Sequence, residues 1–348
     1  MGLVTEGRWP IVGNERVVAA LAAAVASGDF AHAYLFAGPE HAGRAAVARL
    51  LAQALNCEAA QRPCGECAAC KRIAAGIHSD VVTVGVQPPD EGGTRTAISV
   101  EQLRDVQATV SLNPFEGRMR VVIIDPADEM TAGAQNAVLK TLEEPPPNTV
   151  FALIASREDR LLETVRSRCR RLEFRLVPVA EIEATLRERG VPDERASLLA
   201  RLARGRPGWA FRAAEEDETL AERAKALDQA RSLRSLPVGE RMELAERLSD
   251  EFKKDRDLVL PLLGEWQAWW RDVMLVQSGA GEGVAAVDRL AELAEDADAY
   301  RREAVIALVR AIGAARQHLG ENVPSRLVLE WVLLEAPRRS TDGLRRNG

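Results

Sequence analysis

The sequence predicts an α/β protein in which a parallel sheet fills the N-terminal half and helices alone fill the rest. Apolar runs of strand length alternate with helical segments up to about residue 175, as in sheets with crossover helices. Two of these runs, Arg120–Asp125 and Thr149–Ile154, are apolar almost throughout, which is typical of strands buried on both faces. After Phe174 the strand signals stop and only helical patterns follow.

The other N-terminal elements follow in chain order. Helices are predicted at Glu15–Ser27, Arg44–Leu55, Val100–Val110 and Thr131–Glu143. The remaining strands are predicted at Ala33–Ala37, Asp80–Val84 and Arg171–Phe174. Ser99 is the expected N-cap of the third helix. The prolines at 145–147 stop the fourth helix, because proline cannot continue one.

Composition and charge narrow the class of protein. The chain has 348 residues, which predicts two or three domains, and 47% hydrophobic residues, which is enough to bury real cores. The net charge of −6 argues against a stand-alone electrostatic DNA binder, so work at DNA is expected only within an assembly or through a local patch. With no apolar run near the ~20 residues that span a bilayer and no signal-peptide pattern, a cytoplasmic protein is expected.

The turn after the first predicted strand has the spacing of a phosphate-binding loop. Gly38 and Gly43 fit the pattern G-x-x-x-x-G-K-[ST], but Arg44 stands at the lysine position and Ala45 at the hydroxyl position. The loss of the hydroxyl removes a Mg²⁺ ligand, and the planar guanidinium of arginine is not equivalent to an ammonium group. On these residues alone, an ordinary β–α turn is an equal alternative.

A second phosphate-chemistry motif is incomplete in the same way. A hydrolysing site carries Asp-Glu after the strand that ends here at Ile124, where Asp supports Mg²⁺ and Glu orients the attacking water. In this sequence Asp125 is followed by Pro126, and Asp128 and Glu129 lie out of register. The two motifs together predict a nucleotide-binding fold without turnover. The residues left at this degenerate nucleotide site are Gly38, Gly43, Arg44 and Asp125.

Four of the five cysteines fall within fourteen residues, at Cys57, Cys64, Cys67 and Cys70. In a cytosolic chain such a cluster indicates a metal more than disulfides. Four thiolates at this spacing suit a closed, tetrahedral structural Zn²⁺ site. A redox Cys-x-x-Cys pair and an iron–sulfur cluster are the alternatives. The fifth cysteine, Cys169, is expected to be a buried thiol.

Several stretches resemble the clamp-loader subunits of bacteria, which are proteins of the AAA+ class. The stretch Asn136–Pro146 is similar to their signature helix, and Arg166–Cys169 is similar to the Ser-Arg-Cys motif that follows the next strand. His32–Pro39 looks like the family's entry to the phosphate loop, and Pro324–Glu330 resembles a helix of its collar. The resemblance extends from about residue 9 to about residue 335.

The resemblance implies a three-part architecture that agrees with the pattern of elements. It implies an α/β AAA+ domain with a RecA-like parallel sheet over residues 1–175, carrying the zinc module at 57–72. A small helical lid is expected over 176–213 and an all-α collar that joins subunits over 214–337. A flexible tail is expected at 338–348.

Within this family, gamma/tau motor subunits keep the Lys-Thr and Asp-Glu pairs, whereas delta' subunits commonly do not. The chain resembles the delta' group more closely, and Gly208 stands where motors carry a sensor arginine in the lid. The resemblance implies that Arg168 is an arginine finger that acts on a neighbour's ATP. Position alone favours a surface arginine there, because Arg166, Arg170 and Arg171 are close by.

The resemblance thus implies a non-catalytic subunit of the DNA polymerase III clamp loader. Its implied partners are the gamma/tau and delta subunits, with the sliding clamp and primed DNA reached through the complex. Structural Zn²⁺ is the expected cofactor, and ATP turnover is not expected. One alternative is an ATP-binding or ATP-hydrolysing motor subunit in which Arg44 replaces lysine. The other is a zinc-dependent interaction module outside replication.

Overall fold

A parallel β-sheet forms the centre of the N-terminal half. The computed structural model describes residues 9–87, 97–319 and 323–337. Within them the sheet has five strands in the order β2-β3-β4-β1-β5, and all neighbours pair in parallel. The strands are β1 Ala33–Ala37, β2 Val81–Val84, β3 Arg120–Ile124, β4 Thr149–Ala155 and β5 Arg170–Glu173. Every residue of β1, β3 and β4 is buried, which explains their continuous apolar runs and confirms the predicted fold class.

Helices cover both faces of the sheet, as crossover connections require. They are α1 Glu15–Ser27, α2 Arg44–Asn56, α3 Ala68–Ala74, α4 Val100–Val110, α5 Ala132–Glu143 and α6 Glu163–Arg166. One apolar core joins α1 and α2 to one face of the sheet, and a second joins α4 and α5 to the other. Ser99 caps α4 in a reciprocal capping box with Gln102, and Thr131 caps α5.

The remainder of the described chain is helical, as the sequence predicts. The helices are α7 Val179–Glu188, α8 Asp193–Leu202, α9 Pro207–Glu215, α10 Asp217–Ser232, α11 Val238–Lys254, α12 Arg256–Gln277, α13 Leu290–Ala299, α14 Arg302–His318 and α15 Ser325–Glu335. Trp266, Trp269 and Trp270 of α12 are fully buried in the core that the C-terminal helices share. None of the helices in the described part of the chain is long and apolar enough to cross a membrane.

The chain divides into two compact units. The N-terminal unit comprises Met1–Ala196 and Arg204–Phe211, and the C-terminal unit comprises Ser197–Ala203 and Arg212–Gly348. The finer division into sheet, lid and collar stays a prediction. The tail predicted at 338–348 lies outside the described residues.

Candidate functional site

Two glycines shape the turn between β1 and α2. Gly38 has a φ of 149°, and a Cβ atom built on it would lie 2.4 Å from the carbonyl oxygen of Phe174, so only glycine fits. Gly43 has a φ of 97° and forms the N-cap of α2. The amide of Gly38 donates to the carbonyl of Ala155 at 3.2 Å, which ties the turn to the end of β4. The turn therefore lies at the C-terminal edge of the sheet, where ligands bind in open α/β folds.

Arg44 is folded into this turn instead of pointing to solvent. Its side chain is largely enclosed, with 7% of the residue exposed. One guanidinium nitrogen, Nη2, donates to Oγ of Ser156 at 2.8 Å, and the other, Nη1, is buried without a hydrogen-bond partner among the described residues. Burial lowers the pKa of Arg44, while the nearby carboxylates of Asp125 and Asp128 oppose that shift.

The carboxylates around Arg44 also interact with groups of their own chain. Burial raises the pKa of Asp125, and the Arg44 guanidinium counteracts part of that rise. The Asp128 carboxylate accepts hydrogen bonds from the amides of Ser156 at 3.3 Å and Arg157 at 2.9 Å. Asp128 therefore holds the chain at the end of β4.

The residues present do not fit a hydrolytic Mg-ATP site. Ala45 offers no oxygen to Mg²⁺, and Pro126, after Asp125, offers no carboxylate to orient a water. The amide of Gly208 donates to the carbonyl of His41 at 3.0 Å, and a Cβ atom at Gly208 would lie 3.2 Å from that oxygen. A longer side chain at this position would require the turn to move.

Arg168 lies in the short segment between α6 and β5. Its Nη1 donates to the backbone carbonyl of Thr164 at 2.8 Å, and its Nη2 donates to Oε1 of Glu143 at 2.5 Å. A third of the Arg168 side chain is exposed. The next residue, Cys169, packs towards the core, and burial raises its pKa to about 12.

The structure keeps Arg168 apart from the chain's own phosphate-loop-like turn between β1 and α2. Arg168 precedes β5, so it lies at the N-terminal edge of the parallel sheet. Gly38 lies beside Phe174, which follows the C-terminal end of β5. At about 3.3 Å per residue, the four residues of β5 separate the two edges by roughly 13 Å.

The four clustered cysteines converge in a small module beside α2. Their Sγ atoms all lie within 4.8 Å of one another, close to the spacing of about 3.8 Å that tetrahedral zinc–thiolate bonds require. Cys57 and Cys70 are buried, while Cys64 and Cys67 are partly exposed. The amides of Cys64, Cys67 and Cys70 each donate to the sulfur of the preceding cysteine in the cluster. These residues fit a four-thiolate metal centre.

The thiols of this module differ in acidity before a metal acts on them. Burial raises the pKa of Cys57 and of Cys70. Hydrogen bonds from the backbone amides of Cys67 and Glu66 lower the pKa of Cys64 to about 7. A bound cation favours the thiolate form of all four, so metal binding and deprotonation are coupled.

The sequence reasoning missed the partners of both arginines. Ser156, which accepts a hydrogen bond from Arg44, follows directly after β4. A polar residue at the carboxyl end of a parallel strand is a known signal of a ligand site. Glu143, which holds Arg168, lies inside the helix that carries the family resemblance. Neither pairing follows from spacing, because the partners are 112 and 25 residues apart.

The fold and these sites define the class of protein, a AAA+-type α/β protein whose phosphate-loop turn lacks its lysine and hydroxyl. The family model described as DNA polymerase III, delta subunit matches residues 13–178. The delta' subunit of DNA polymerase III from Bacillus subtilis is 30% identical over 322 residues, which cover 92% of this chain and 94% of that relative. The chain therefore belongs to the DNA polymerase III delta' subunit family.

Two tau subunits match about half of this chain and less than a third of their own length. The tau subunit of Bacillus subtilis is 37% identical over 169 residues, which cover 48% of this chain and 29% of that protein. The tau subunit of Escherichia coli is 36% identical over 203 residues, which cover 56% of this chain and 30% of that protein. A solved gamma subunit-related protein from Thermotoga maritima is 18% identical, with a TM-score of 0.43, and covers 91% of this chain and 98% of its own.

Proposed function

We propose that this chain is a non-catalytic subunit of the DNA polymerase III clamp loader that presents Arg168 to the ATP site of a neighbouring subunit. The observation that carries the proposal is the separation of Arg168 from the chain's own nucleotide turn by the length of the sheet. The guanidinium on that edge is a third exposed, so another subunit's phosphates can reach it. In well-studied systems an arginine supplied in this way raises the rate of phosphoryl transfer by about 10³–10⁵.

The degenerate turn supports the non-catalytic part of the proposal. Arg44 is engaged with Ser156 and compensated by carboxylates of its own chain. Ala45 and Pro126 remove two groups that hydrolysis uses. A motor subunit would need other residues to supply the missing hydroxyl and the missing carboxylate. Among the described residues around the turn, no carboxylate follows Asp125 at the position that would orient a water.

An exposed apolar stripe on α15 favours the proposal that the chain assembles with other subunits. Leu327, Trp331 and Leu334 of α15 are 59%, 40% and 55% exposed, and their spacing puts them on one face of the helix. An exposed apolar stripe of this kind is typical of a protein–protein contact. We propose gamma/tau and delta subunits as its partners, with the sliding clamp and primed DNA engaged by the complex.

The cysteine module is proposed to hold one structural Zn²⁺. With four thiolates the site has no open position for a substrate or water, so the metal would stabilise the fold without taking part in chemistry. The amide of Gln53 donates to the carbonyl of Cys70 at 2.8 Å, which joins the module to α2. The zinc is thus expected to stiffen the segment between α2 and β2.

The test is the steady-state ATPase activity of the complete loader, assembled from this chain and its gamma/tau and delta partners. The variant Arg168→Ala should assemble normally. At the neighbouring ATP site that Arg168 contacts, the rate of ATP hydrolysis should fall by about 10³-fold or more. The matched control is Arg166→Ala, an exposed arginine two residues away. A wild-type rate with Arg168→Ala would refute the proposal.

A further inference from the structure

Arg168 is held by two acceptors that belong to two different helices. Glu143 is the last residue of α5, and Thr164 lies in α6. The side chain of Glu143 binds Nη2 at 2.5 Å and the carbonyl of Thr164 binds Nη1 at 2.8 Å, so both ends of the guanidinium plane are fixed. Building on the function proposed above, we propose that Glu143 is a positioning residue that orients Arg168 for the neighbour's phosphoryl group.

The two contacts orient the guanidinium without saturating it. An arginine side chain has five N–H hydrogens in a rigid planar fork. Glu143 and Thr164 accept two of them, which leaves three for an incoming anion. A group held in this way needs little reorganisation when the charge of the transition state develops, and this lowers the barrier.

The position of Glu143 argues against a role in the stability of its own helix. A carboxylate in the last turn of a helix is opposed by the negative end of the helix dipole. Glu143 stands in that turn of α5, and its side chain is 49% exposed. Partly exposed ion pairs of this kind contribute little to folding. The contact with Arg168 is therefore better explained by orientation of the arginine than by stability.

The experiment compares Glu143→Ala and Glu143→Gln in the complete loader. Glu143→Ala should lower kcat for ATP hydrolysis by roughly two- to fivefold, the loss expected for one partly exposed ion pair, and leave KM for ATP unchanged. Glu143→Gln should retain most of the rate, because its amide oxygen still accepts from Nη2. The matched control Glu144→Ala, at the neighbouring exposed residue, should behave as wild type. Thermal unfolding should be the same for all three variants.

The same assays in the Arg168→Ala background separate the two proposals. If Glu143 acts through Arg168, then Glu143→Ala has no further effect once Arg168 is gone. A slow Arg168→Ala complex together with a wild-type Glu143→Ala complex would refute the positioning role and leave the proposed function intact. A Glu143→Ala complex faster than wild type would also refute it, because Glu143 would then restrain the arginine. A wild-type rate for Arg168→Ala would overturn both proposals.

Discussion

Arg241 shows how a single buried charge organises the helical C-terminal unit. The residue is only 2% exposed and donates to the backbone carbonyls of Leu233, Leu236, Leu333 and Ala336. These carbonyls lie at and just beyond the C-terminal ends of α10 and α15. Because the last carbonyls of a helix lack partners within it, a cation placed there satisfies them and complements the helix dipole.

Replacing Arg241 should therefore lower the free energy of unfolding of the C-terminal unit. Arg241→Met is expected to cost about 3–5 kcal/mol, because it leaves several buried carbonyls without a donor, each at about 1–3 kcal/mol. Urea unfolding followed by tryptophan fluorescence measures the loss, because Trp266, Trp269 and Trp270 lie in the same core. The control is Arg326→Met, whose arginine is half exposed and should cost about 0–1 kcal/mol. Equal stability of the two variants would contradict this account.

At the scale of elements, Asp80 holds the connection between α4 and β3. The residue is fully buried and accepts from the amides of Phe115, Glu116 and Gly117 and from the Arg120 guanidinium, each at 2.8 Å. Burial alone would raise the pKa of Asp80, but the four donors together hold it well below its usual range. The folded chain therefore stabilises the ionised form of Asp80.

This depressed pKa makes a prediction about acid stability. A carboxyl whose pKa is lower in the folded chain stabilises the fold above its unfolded pKa, about 3.9, and loses that effect as the pH falls. Asp80→Asn should cost roughly 3–5 kcal/mol at pH 7, and the gap to wild type should narrow below about pH 4. Unfolding curves at pH 7, 4, 3 and 2.5 measure it, because the effect is lost only between the unfolded and the folded pKa. Asp105→Asn, at an exposed site, is the control, and a gap that is independent of pH would be the contrary result.

The cysteine module makes a second prediction at the scale of elements. Elemental analysis of the purified chain should find one zinc per chain, and Cys57→Ser should lose it, because three thiolates leave the site open. Chelation should also reduce helix content, since Cys67 and Cys70 begin the short helix α3. Cys169→Ser, outside the module, should keep its zinc. Iron in place of zinc, or zinc retained by Cys57→Ser, would contradict the assignment.

Nine elements of the N-terminal half could be predicted from the sequence because their signals are local. Apolar runs, helical patterns, the Ser99 cap and the prolines after Glu143 placed the five strands and α1, α2, α4 and α5 within one or two residues of their observed bounds. The helix α3 was missed, because its seven residues are organised by the cysteine cluster and carry little apolar periodicity. The edge strand β5 begins at Arg170, one residue earlier than predicted, since pairing with β1 sets its start.

At the scale of the whole molecule, the degenerate turn and the proposed arginine finger lie at opposite edges of one sheet. The C-terminal edge carries the turn with Gly38, Gly43 and Arg44, and the N-terminal edge carries Arg168. The missing lysine, hydroxyl and glutamate could be read from the sequence, because each is a single position in a local motif. The contacts that occupy Arg44 and Arg168 could not, because each joins residues that are distant in the chain and adjacent only after folding.

We propose that this chain performs no ATP chemistry of its own. The most direct test is a phosphate-release assay on the isolated, zinc-replete chain with Mg-ATP, at chain concentrations high enough to detect a single slow turnover. We expect no release above background, because Ala45 and Pro126 leave neither the Mg²⁺ ligand nor the water-orienting carboxylate in place. Sustained release in proportion to the chain, abolished by Arg44→Ala, would show instead that the turn is a working ATPase site.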